Sequence, residues 1–205
     1  MVIIPSYEPD ERLPILIQHL QKQCPHIVVV NDGSGPKFDG IFRELEKSGV
    51  TVLSHAVNQG KGRALKTAFN YCILQDPDLV GCVTADSDGQ HLPEDIVFCG
   101  ETLARHPDNL VLGCRDFDNV SVPSKSRYGN KITRTLFRYL CGLKITDTQT
   151  GLRGIPVQFM RELLVVPGER FEFETNMLIA SKDHYPIQEI NIKTIYDSKK
   201  NHSTH

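Results

Sequence analysis

The segment Asp86-Ser87-Asp88-Gly89-Gln90-His91 carries the densest set of side chains that could do chemistry. Its two carboxylates, two residues apart, can share one hard divalent cation if the backbone there is not a regular strand. Mg²⁺ and Mn²⁺ need a few carboxylate oxygens and leave their other positions to water and ligand phosphates. An EF-hand loop starting at Asp86 is excluded, because Val97 stands at its twelfth position, where a glutamate is needed. A turn-capping role for Asp86 is the alternative.

A second candidate segment, from Asn58 to Ala64, places two glycines and Lys61 ahead of a predicted helix. Glycines permit close approach of the backbone, and a cation near a helix N-terminus favours an anion. A Walker A loop is excluded, because His55 stands in place of its first glycine and Gly62 in place of its Ser or Thr. Taken alone, the segment is equally compatible with a plain loop.

A basic stretch from Ser121 to Thr146 contains six cations and no Asp or Glu, although the chain as a whole has a net charge of −2. Four of these cations are spaced by four, three and four residues, which places them on one face of a helix predicted over Ser126 to Leu140. They are Arg127, Lys131, Arg134 and Arg138. A solvated face is the ordinary explanation, but the lack of acids favours a phosphate or an anionic membrane surface. Nucleic acid is disfavoured, because no aromatic residues are interleaved.

Two further segments contain acids close to other functional groups. Asp147 to Arg153 combines an acid, a glycine and a cation in one predicted loop. Glu172 and Glu174 alternate with phenylalanines, a pattern that could simply mark the entrance of a helix.

The elements that must position these groups are apolar strands alternating with amphipathic helices. Alternation of this kind predicts an α/β domain with a mainly parallel sheet and helices on both faces. The predicted strands are Val2 to Pro5, Ile27 to Val30, Val50 to Leu53, Leu79 to Ala85, Leu110 to Gly113 and Ile187 to Ile195. The predicted helices run from Leu13 to about Gln23, around Ile41 to Leu45, around Ala64 to Cys72, from Pro93, over Ser126 to Leu140, and from Phe173 to Lys182.

The carboxyl ends of the first four strands are the expected place for a ligand, because open α/β sheets bind ligands beyond these ends. We therefore expect the polar groups that follow those strands to converge on one edge of the sheet. They are Pro5 to Glu8, Asn31 to Ser34, Ser54 with His55, and Asp86 to Asp88.

Composition is that of an ordinary globular chain. The 205 residues fit one domain and are 40% hydrophobic and 23% charged, which excludes a disordered chain. Six cysteines without CxxC spacing predict reduced thiols in the core. No window approaches the ~18 apolar residues of a membrane span, which leaves association with a membrane surface open.

Taken together, the motifs resemble glycosyltransferase family 2, which has the GT-A fold, and most of all its polyprenyl-phosphate glycosyltransferase branch. They follow the order of the family and cover nearly the whole chain. The motifs are Val2 to Tyr7, Val29 to Ser34, Asn58 to Gly62, Asp86 to His91 and Asp147 to Arg153.

The resemblance implies a role for each candidate residue. The donor site would comprise Pro5, Tyr7, Glu8 and Asp32 around the nucleoside, Lys61 beside the nucleotide, Gln90 near the sugar, and Asp86 with Ser87 at the diphosphate. Mg²⁺ or Mn²⁺ would be held by Asp86 and Asp88, and His205 matches a tail histidine of the family only loosely. The acceptor would contact Arg127, Lys131, Arg134 and Arg153, and the catalytic groups would be Asp88, Asp147, Arg115 and Arg127.

The implied reaction is inverting transfer of a sugar from a nucleotide-sugar, with a UDP-sugar favoured, to a polyprenyl phosphate. A phosphate monoester has a second pKa of about 6 and is already ionised at neutral pH, so Asp147 would orient rather than deprotonate the acceptor. One alternative is a saccharide hydroxyl as acceptor, for which Asp147 would have to be a true base. Another is a nucleotide-sugar-binding module without catalysis.

The resemblance also implies where the chain works and how it is divided. We expect a cytoplasmic protein at the inner face of the membrane, built as one catalytic domain. Residues 1–113 would bind the donor and residues 114–205 would form the acceptor side. Relatives in this branch continue past the position of His205, which is compatible with an N-terminal catalytic domain of a longer membrane-associated protein.

Overall fold

The computed structural model describes residues 1–115, 142 and 145–193. Within this part of the chain, seven strands form a single sheet in the order β3-β2-β1-β4-β6-β5-β7. The strands are β1 (Val2–Ser6), β2 (Ile27–Asn31), β3 (Thr51–Ser54), β4 (Gly81–Thr84), β5 (Leu110–Arg115), β6 (Arg153–Pro156) and β7 (Ile187–Ile192).

One strand of this sheet runs against the others. β1 pairs in parallel with β2 and β4, and β3 and β7 are parallel to their neighbours β2 and β5. β6 is inserted between β4 and β5 and is antiparallel to both. Because of this reversal, β6 starts where β4 ends, with Arg153 paired to Thr84 on one side and to Leu112, in the middle of β5, on the other. The chain that leads into β6 is therefore delivered to the edge of the sheet where ligands were expected.

Helices cover both faces of the sheet, as predicted. The described helices are α1 (Arg12–Leu20), α2 (Asp39–Lys47), α3 (Lys61–Gln75), α4 (Pro93–Arg105), α5 (Val157–Leu163) and α6 (Glu172–Ser181). The apolar sides of α3, α5 and α6 form one core, and those of α1, α2 and α4 form the other. The strands β1, β2, β4 and β5 serve both cores, because successive side chains point to opposite faces. Ile3 and Val28 lie in the first core, whereas Ile4 and Val29 lie in the second.

Two elements differ from the predictions. The sequence analysis placed no strand at Arg153–Pro156 and no helix at Val157–Leu163, where the structure has β6 and α5. A four-residue strand containing a cation, a glycine and a proline has the local pattern of a turn, and it forms here because it is paired on both sides. A seven-residue helix is too short to show a full apolar period. The predicted division at residue 113 falls inside β5, so the two predicted parts share one sheet.

Among the described residues, no helix combines the length and the apolar character that crossing a bilayer requires. The helix predicted over Ser126 to Leu140, with its basic stripe, lies outside the described residues.

The close contact between β4 and β6 leads to a test of the antiparallel insertion. A Cβ atom at Gly81 would lie 2.3 Å from the carbonyl oxygen of Ile155, which belongs to the backbone of β6 and cannot turn away. We expect Gly81→Ala to lower the free energy of unfolding by about 1–3 kcal/mol, measured by urea denaturation. Gly100→Ala in α4 is the matched control, because its Cβ would meet only Val83 Cγ2 at 3.4 Å. That control should be neutral or stabilising by up to ~1 kcal/mol. Equal effects of the two changes would contradict the strand arrangement.

Candidate functional site

Asp32 organises the loop that leads into α3. It follows β2 directly, and its side chain is only 4% exposed. Oδ1 accepts a hydrogen bond from the backbone N–H of Gln59 at 2.9 Å, and Oδ2 accepts one from that of Gly60 at 2.8 Å. The Oδ1 atom also lies 2.7 Å from Nδ1 of His55, whose Nε2 lies 2.9 Å from Oγ1 of Thr67 in α3. The carboxylate thus determines where α3 begins and where its first residue, Lys61, is placed.

Lys61 bridges two carboxylates from distant parts of the sequence. Its Nζ atom lies 2.7 Å from Oδ1 of Asp86 and 2.8 Å from Oε2 of Glu174. Burial by itself would lower the pKa of Lys61, but the carboxylates of Asp86 and Glu174 outweigh burial and hold that pKa above its usual range. The ammonium group is therefore a permanent charge at this edge of the sheet.

The acidic motif after β4 lies beside this ammonium group. Burial opposes ionisation of Asp86, but Lys61 and His91 outweigh it and hold the pKa of Asp86 well below its usual range. Asp88 accepts hydrogen bonds from the backbone N–H of Gln90 at 3.0 Å and from its Nε2 at 2.7 Å. Burial, and then the charge of Asp86, raise the pKa of Asp88. The two carboxylates thus repel each other, a situation that a bound cation relieves.

This pair of acids fits a divalent cation that is shared with a ligand. In the described part of the chain, no three His, Cys, Asp or Glu residues are grouped so that they could hold a metal by themselves. Mg²⁺ is commonly bound by one or two carboxylates together with substrate phosphates, and the pair Asp86 and Asp88 meets that description. The donor set consists of hard oxygen atoms, which also suit Mn²⁺.

The loop before β6 packs directly on the acidic motif. A Cβ atom at Gly151 would lie 2.2 Å from Oδ2 of Asp86, so only glycine leaves room for the carboxylate. The carbonyl oxygen of Gly151 accepts a hydrogen bond from Oγ1 of Thr84 at 3.0 Å. The predicted acceptor-side loop and the predicted metal motif are therefore in contact, as a consequence of the reversed direction of β6.

Asp147 in the same loop forms a two-pronged ion pair with Arg115 at the end of β5. Nε of Arg115 lies 2.6 Å from Oδ2, and Nη2 lies 2.9 Å from Oδ1. Asp147 is fully buried and also accepts the backbone N–H of Gln149 at 3.1 Å. A carboxylate enclosed in this way orients the guanidinium group of Arg115 and is poorly placed to take a proton from a ligand.

Arg153 lies in the interior, which differs from its predicted contact with the acceptor. It is 1% exposed, and its Nε and Nη1 atoms donate hydrogen bonds to the carbonyl oxygens of Thr150 and Glu174 at 3.0 and 2.7 Å. Nη1 also lies 3.4 Å from Sδ of Met177. The cause is its position as the first residue of β6, where the side chain turns under α6. Arg153 therefore ties the loop before β6 to that helix.

The residues predicted to line the nucleoside pocket follow β1. Pro5 is buried in the strand, whereas Tyr7 is 50% exposed and Glu8 is exposed. Glu8 has a φ of +50°, which is uncommon for a residue other than glycine, and its backbone N–H donates to Oγ of Ser34 at 2.9 Å. A hydrogen bond with Glu8, together with its charge, raises the pKa of the Tyr7 hydroxyl. The turn thus joins the ends of β1 and β2.

The structure brings some of the predicted site residues together, and others lie outside the residues that it describes. Asp32, Lys61, Asp86, Ser87, Asp88 and Gln90 follow neighbouring strands at one edge, and Arg115 with Asp147 lies at the same edge. Arg127, Lys131, Arg134 and His205 lie outside the described residues. Sequence reasoning assigned no role to His55 or Glu174. The expectation that ligands bind beyond the strand ends included His55, which follows β3. Glu174 is brought to the site by the packing of α6 against α3, which the sequence alone does not show.

Most of the chain matches the model of a known protein family. A family model described as glycosyl transferase family 2 matches residues 1–164. The chain belongs to this family. The resemblance inferred from the motifs is thereby confirmed.

Known relatives and solved structures resemble the chain over most of its length. The UDP-N-acetylglucosamine–dolichyl-phosphate N-acetylglucosaminyltransferase of Methanococcus voltae is 29% identical over 221 residues, covering 95% of this chain and 85% of that protein. Mannosyl-3-phosphoglycerate synthase from Rubrobacter xylanophilus has a TM-score of 0.73 at 13% identity, over 98% of this chain and 67% of that one. A mannosyltransferase from Pyrobaculum calidifontis, solved with GDP-Man and Mn²⁺, has a TM-score of 0.60 at 14% identity. In that case the match covers 93% of this chain and 54% of the other. The predicted GT-A fold is confirmed.

The contact between Gly151 and Asp86 allows a direct test of the site. We expect Gly151→Ala to displace the Asp86 carboxylate and to weaken binding of a nucleotide-sugar in the presence of Mn²⁺ by at least about tenfold, measured by calorimetry. Gly40→Ala in α2 is the matched control, because a Cβ atom there meets nothing within 4 Å. Unchanged ligand affinity in the Gly151 variant would show that this contact does not shape the site.

Proposed function

We propose that the chain transfers a sugar from a nucleotide-sugar to a polyprenyl phosphate, with inversion at the anomeric carbon. The observation that carries this proposal is that two clusters of charged side chains lie at one edge of the sheet. Lys61, Asp86 and Asp88 form an array suited to a diphosphate with a cation, and Arg115 is held by Asp147 at the same edge. One site for each anionic substrate is what a transfer between two phosphates requires.

The donor would bind at the carboxyl ends of β1, β2 and β4. The nucleoside would lie against Tyr7, Glu8 and the Asp32 loop, and the diphosphate would lie near Lys61. Asp86 and Asp88 would hold a divalent cation, which supplies Lewis-acid stabilisation of the departing diphosphate. Lys61 would contribute a fixed positive charge to the same leaving group.

The acceptor phosphate would face Arg115. Asp147 orients that guanidinium group. The positive charge of Arg115 would reduce the repulsion between the two anionic substrates. No protein base is required, because the acceptor phosphate carries its own negative charge at neutral pH. This assignment agrees with the enclosed position of Asp147.

A UDP-sugar is the donor that we favour. The sequence relative from Methanococcus voltae is named for UDP-N-acetylglucosamine and dolichyl phosphate. The structural relative from Pyrobaculum calidifontis was solved with GDP-Man, but its 14% identity carries only the fold. A lipid-linked acceptor would place the enzyme at a membrane surface, and cytoplasmic nucleotide-sugars would make this the inner face.

Thermal shift with nucleotide-sugars tests the donor site and its cation. A UDP-sugar with Mn²⁺ or Mg²⁺ at a hundred times its dissociation constant should stabilise the chain by ~2.7 kcal/mol, which raises Tm by about 5–10 °C. Asp88→Asn should abolish most of the metal-dependent part of this shift, whereas the exposed Asp78→Asn should keep it. A full shift without any divalent cation would contradict the cation site, and a larger shift with GDP-sugars would reverse the choice of donor.

A comparison of acceptors tests the second substrate. Transfer to a short polyprenyl phosphate should exceed transfer to the matching polyprenol or to free sugars by about 100-fold or more, because a hydroxyl acceptor lacks a base here. The measurement is radiolabelled sugar recovered in each product. Faster transfer to a free saccharide would instead favour a polysaccharide-building enzyme in which Asp147 acts as a base. Tight donor binding with no transfer or donor hydrolysis would favour a binding module.

A further inference from the structure

Glu174 is a carboxylate of the site to which the proposed reaction assigns no role. It lies in the first turn of α6, and its side chain is 14% exposed. Oε2 lies 2.8 Å from Nζ of Lys61, and Oε1 lies 3.9 Å from Nε of Arg153. A largely buried carboxylate is costly, and the positive charges of Lys61 and Arg153 offset this cost at Glu174.

Lys61 has two acidic partners, Asp86 and Glu174, and of these two Glu174 would keep its full interaction with the ammonium group while a cation is bound. Asp86 belongs to the pair of acids that would hold the divalent cation. Once the Asp86 oxygens face that cation, their attraction for the Lys61 ammonium is reduced. Glu174 is on a different element and outside the pair, so its hold on the ammonium is unaffected.

The packing of two helix starts brings Glu174 within reach of Lys61. A Cβ atom at Gly60 would lie 2.5 Å from the carbonyl oxygen of Glu169, and one at Gly62 would lie 2.6 Å from Cβ of Phe173. The backbone N–H of Arg63 donates to the same Glu169 carbonyl at 2.9 Å. The glycines around Lys61 therefore do more than admit a phosphate, because they allow α3 to approach the segment that carries Glu174.

We propose that Glu174 is a positioning residue for the donor, which keeps the Lys61 ammonium directed at the donor diphosphate while Asp86 is engaged with the cation. This inference rests on the proposed function, since the diphosphate is the anion that Lys61 would meet. Glu174 itself does not touch the donor and acts through Lys61.

Steady-state kinetics of Glu174→Gln tests this role. The change keeps the shape of the side chain and removes its charge. The hydrogen bond from Arg153 to the backbone carbonyl of Glu174 is kept, whereas the 3.9 Å ion pair with Arg153 is lost together with the ion pair to Lys61. We expect KM for the nucleotide-sugar to rise about tenfold, with kcat and KM for the polyprenyl phosphate changing less than about threefold. Glu172→Gln is the matched control, because it lies on the same helix and its Oε1 atom accepts the backbone N–H groups of Glu169 and Arg170, which an amide oxygen can also accept. This control should behave like the unmodified chain.

A double-mutant cycle with Lys61→Met separates positioning from general damage. In the Lys61→Met background, Glu174→Gln should change the donor KM by less than about twofold, because its effect passes through the missing ammonium. Glu174→Asp, which retains the charge, should raise the donor KM less than Glu174→Gln does, and it serves as the second variant if the glutamine variant fails to fold. An equal effect of Glu174→Gln in both backgrounds, or no effect on the donor KM, would overturn the proposal. An unmodified chain that neither binds nor transfers any nucleotide-sugar would overturn the proposed function, and this inference with it.

Discussion

Carboxylates collected at one edge of a sheet must each be matched by a cation or by N–H groups, and this requirement shapes the whole site. Asp32 is satisfied by the backbone of residues 59 and 60, Asp86 by Lys61, and Asp147 by Arg115. Each of these three acids has at least one partner from a different part of the fold. Compensation of charge therefore connects strands and helices that are far apart in the sequence. An uncompensated acid at the buried positions Asp32 and Asp147 would cost several kcal/mol, so the charges to which we assign roles toward the substrates also stabilise the fold.

The reversed strand β6 decides which groups meet. In a fully parallel sheet the loop before this strand would lie at the opposite edge, away from the other strand ends. Because β6 runs against β4 and β5, its leading loop brings Gly151 against Asp86 and Asp147 against Arg115. The two proposed substrate regions are adjacent for this reason.

The sequence analysis predicted the alternating strands and helices and the edge where polar groups gather, because both follow from local apolar periodicity and from the parallel direction of the first four strands. The family resemblance added the roles of the acids and cations. β6 could not be predicted, since pairing with two neighbours overrides the local tendency of its glycine and proline. The burial of Arg153 and the part played by Glu174 depend on how α6 packs, and no spacing along the chain carries that information. The pairing of Asp147 with Arg115 similarly joins residues 32 positions apart.

The ion pair between Arg115 and Asp147 also closes the base of the long chain segment between them. Its two ends are held together at the edge of the sheet, so the entropic cost of closure depends only weakly on how many residues the segment contains. A change in the number of residues between Arg115 and Asp147 therefore costs little at the ion pair, which ties the end of β5 to the loop before β6. Because this closure does not involve β1, β2 or β4, we expect the length of the segment to vary more readily than the strands that would hold the donor.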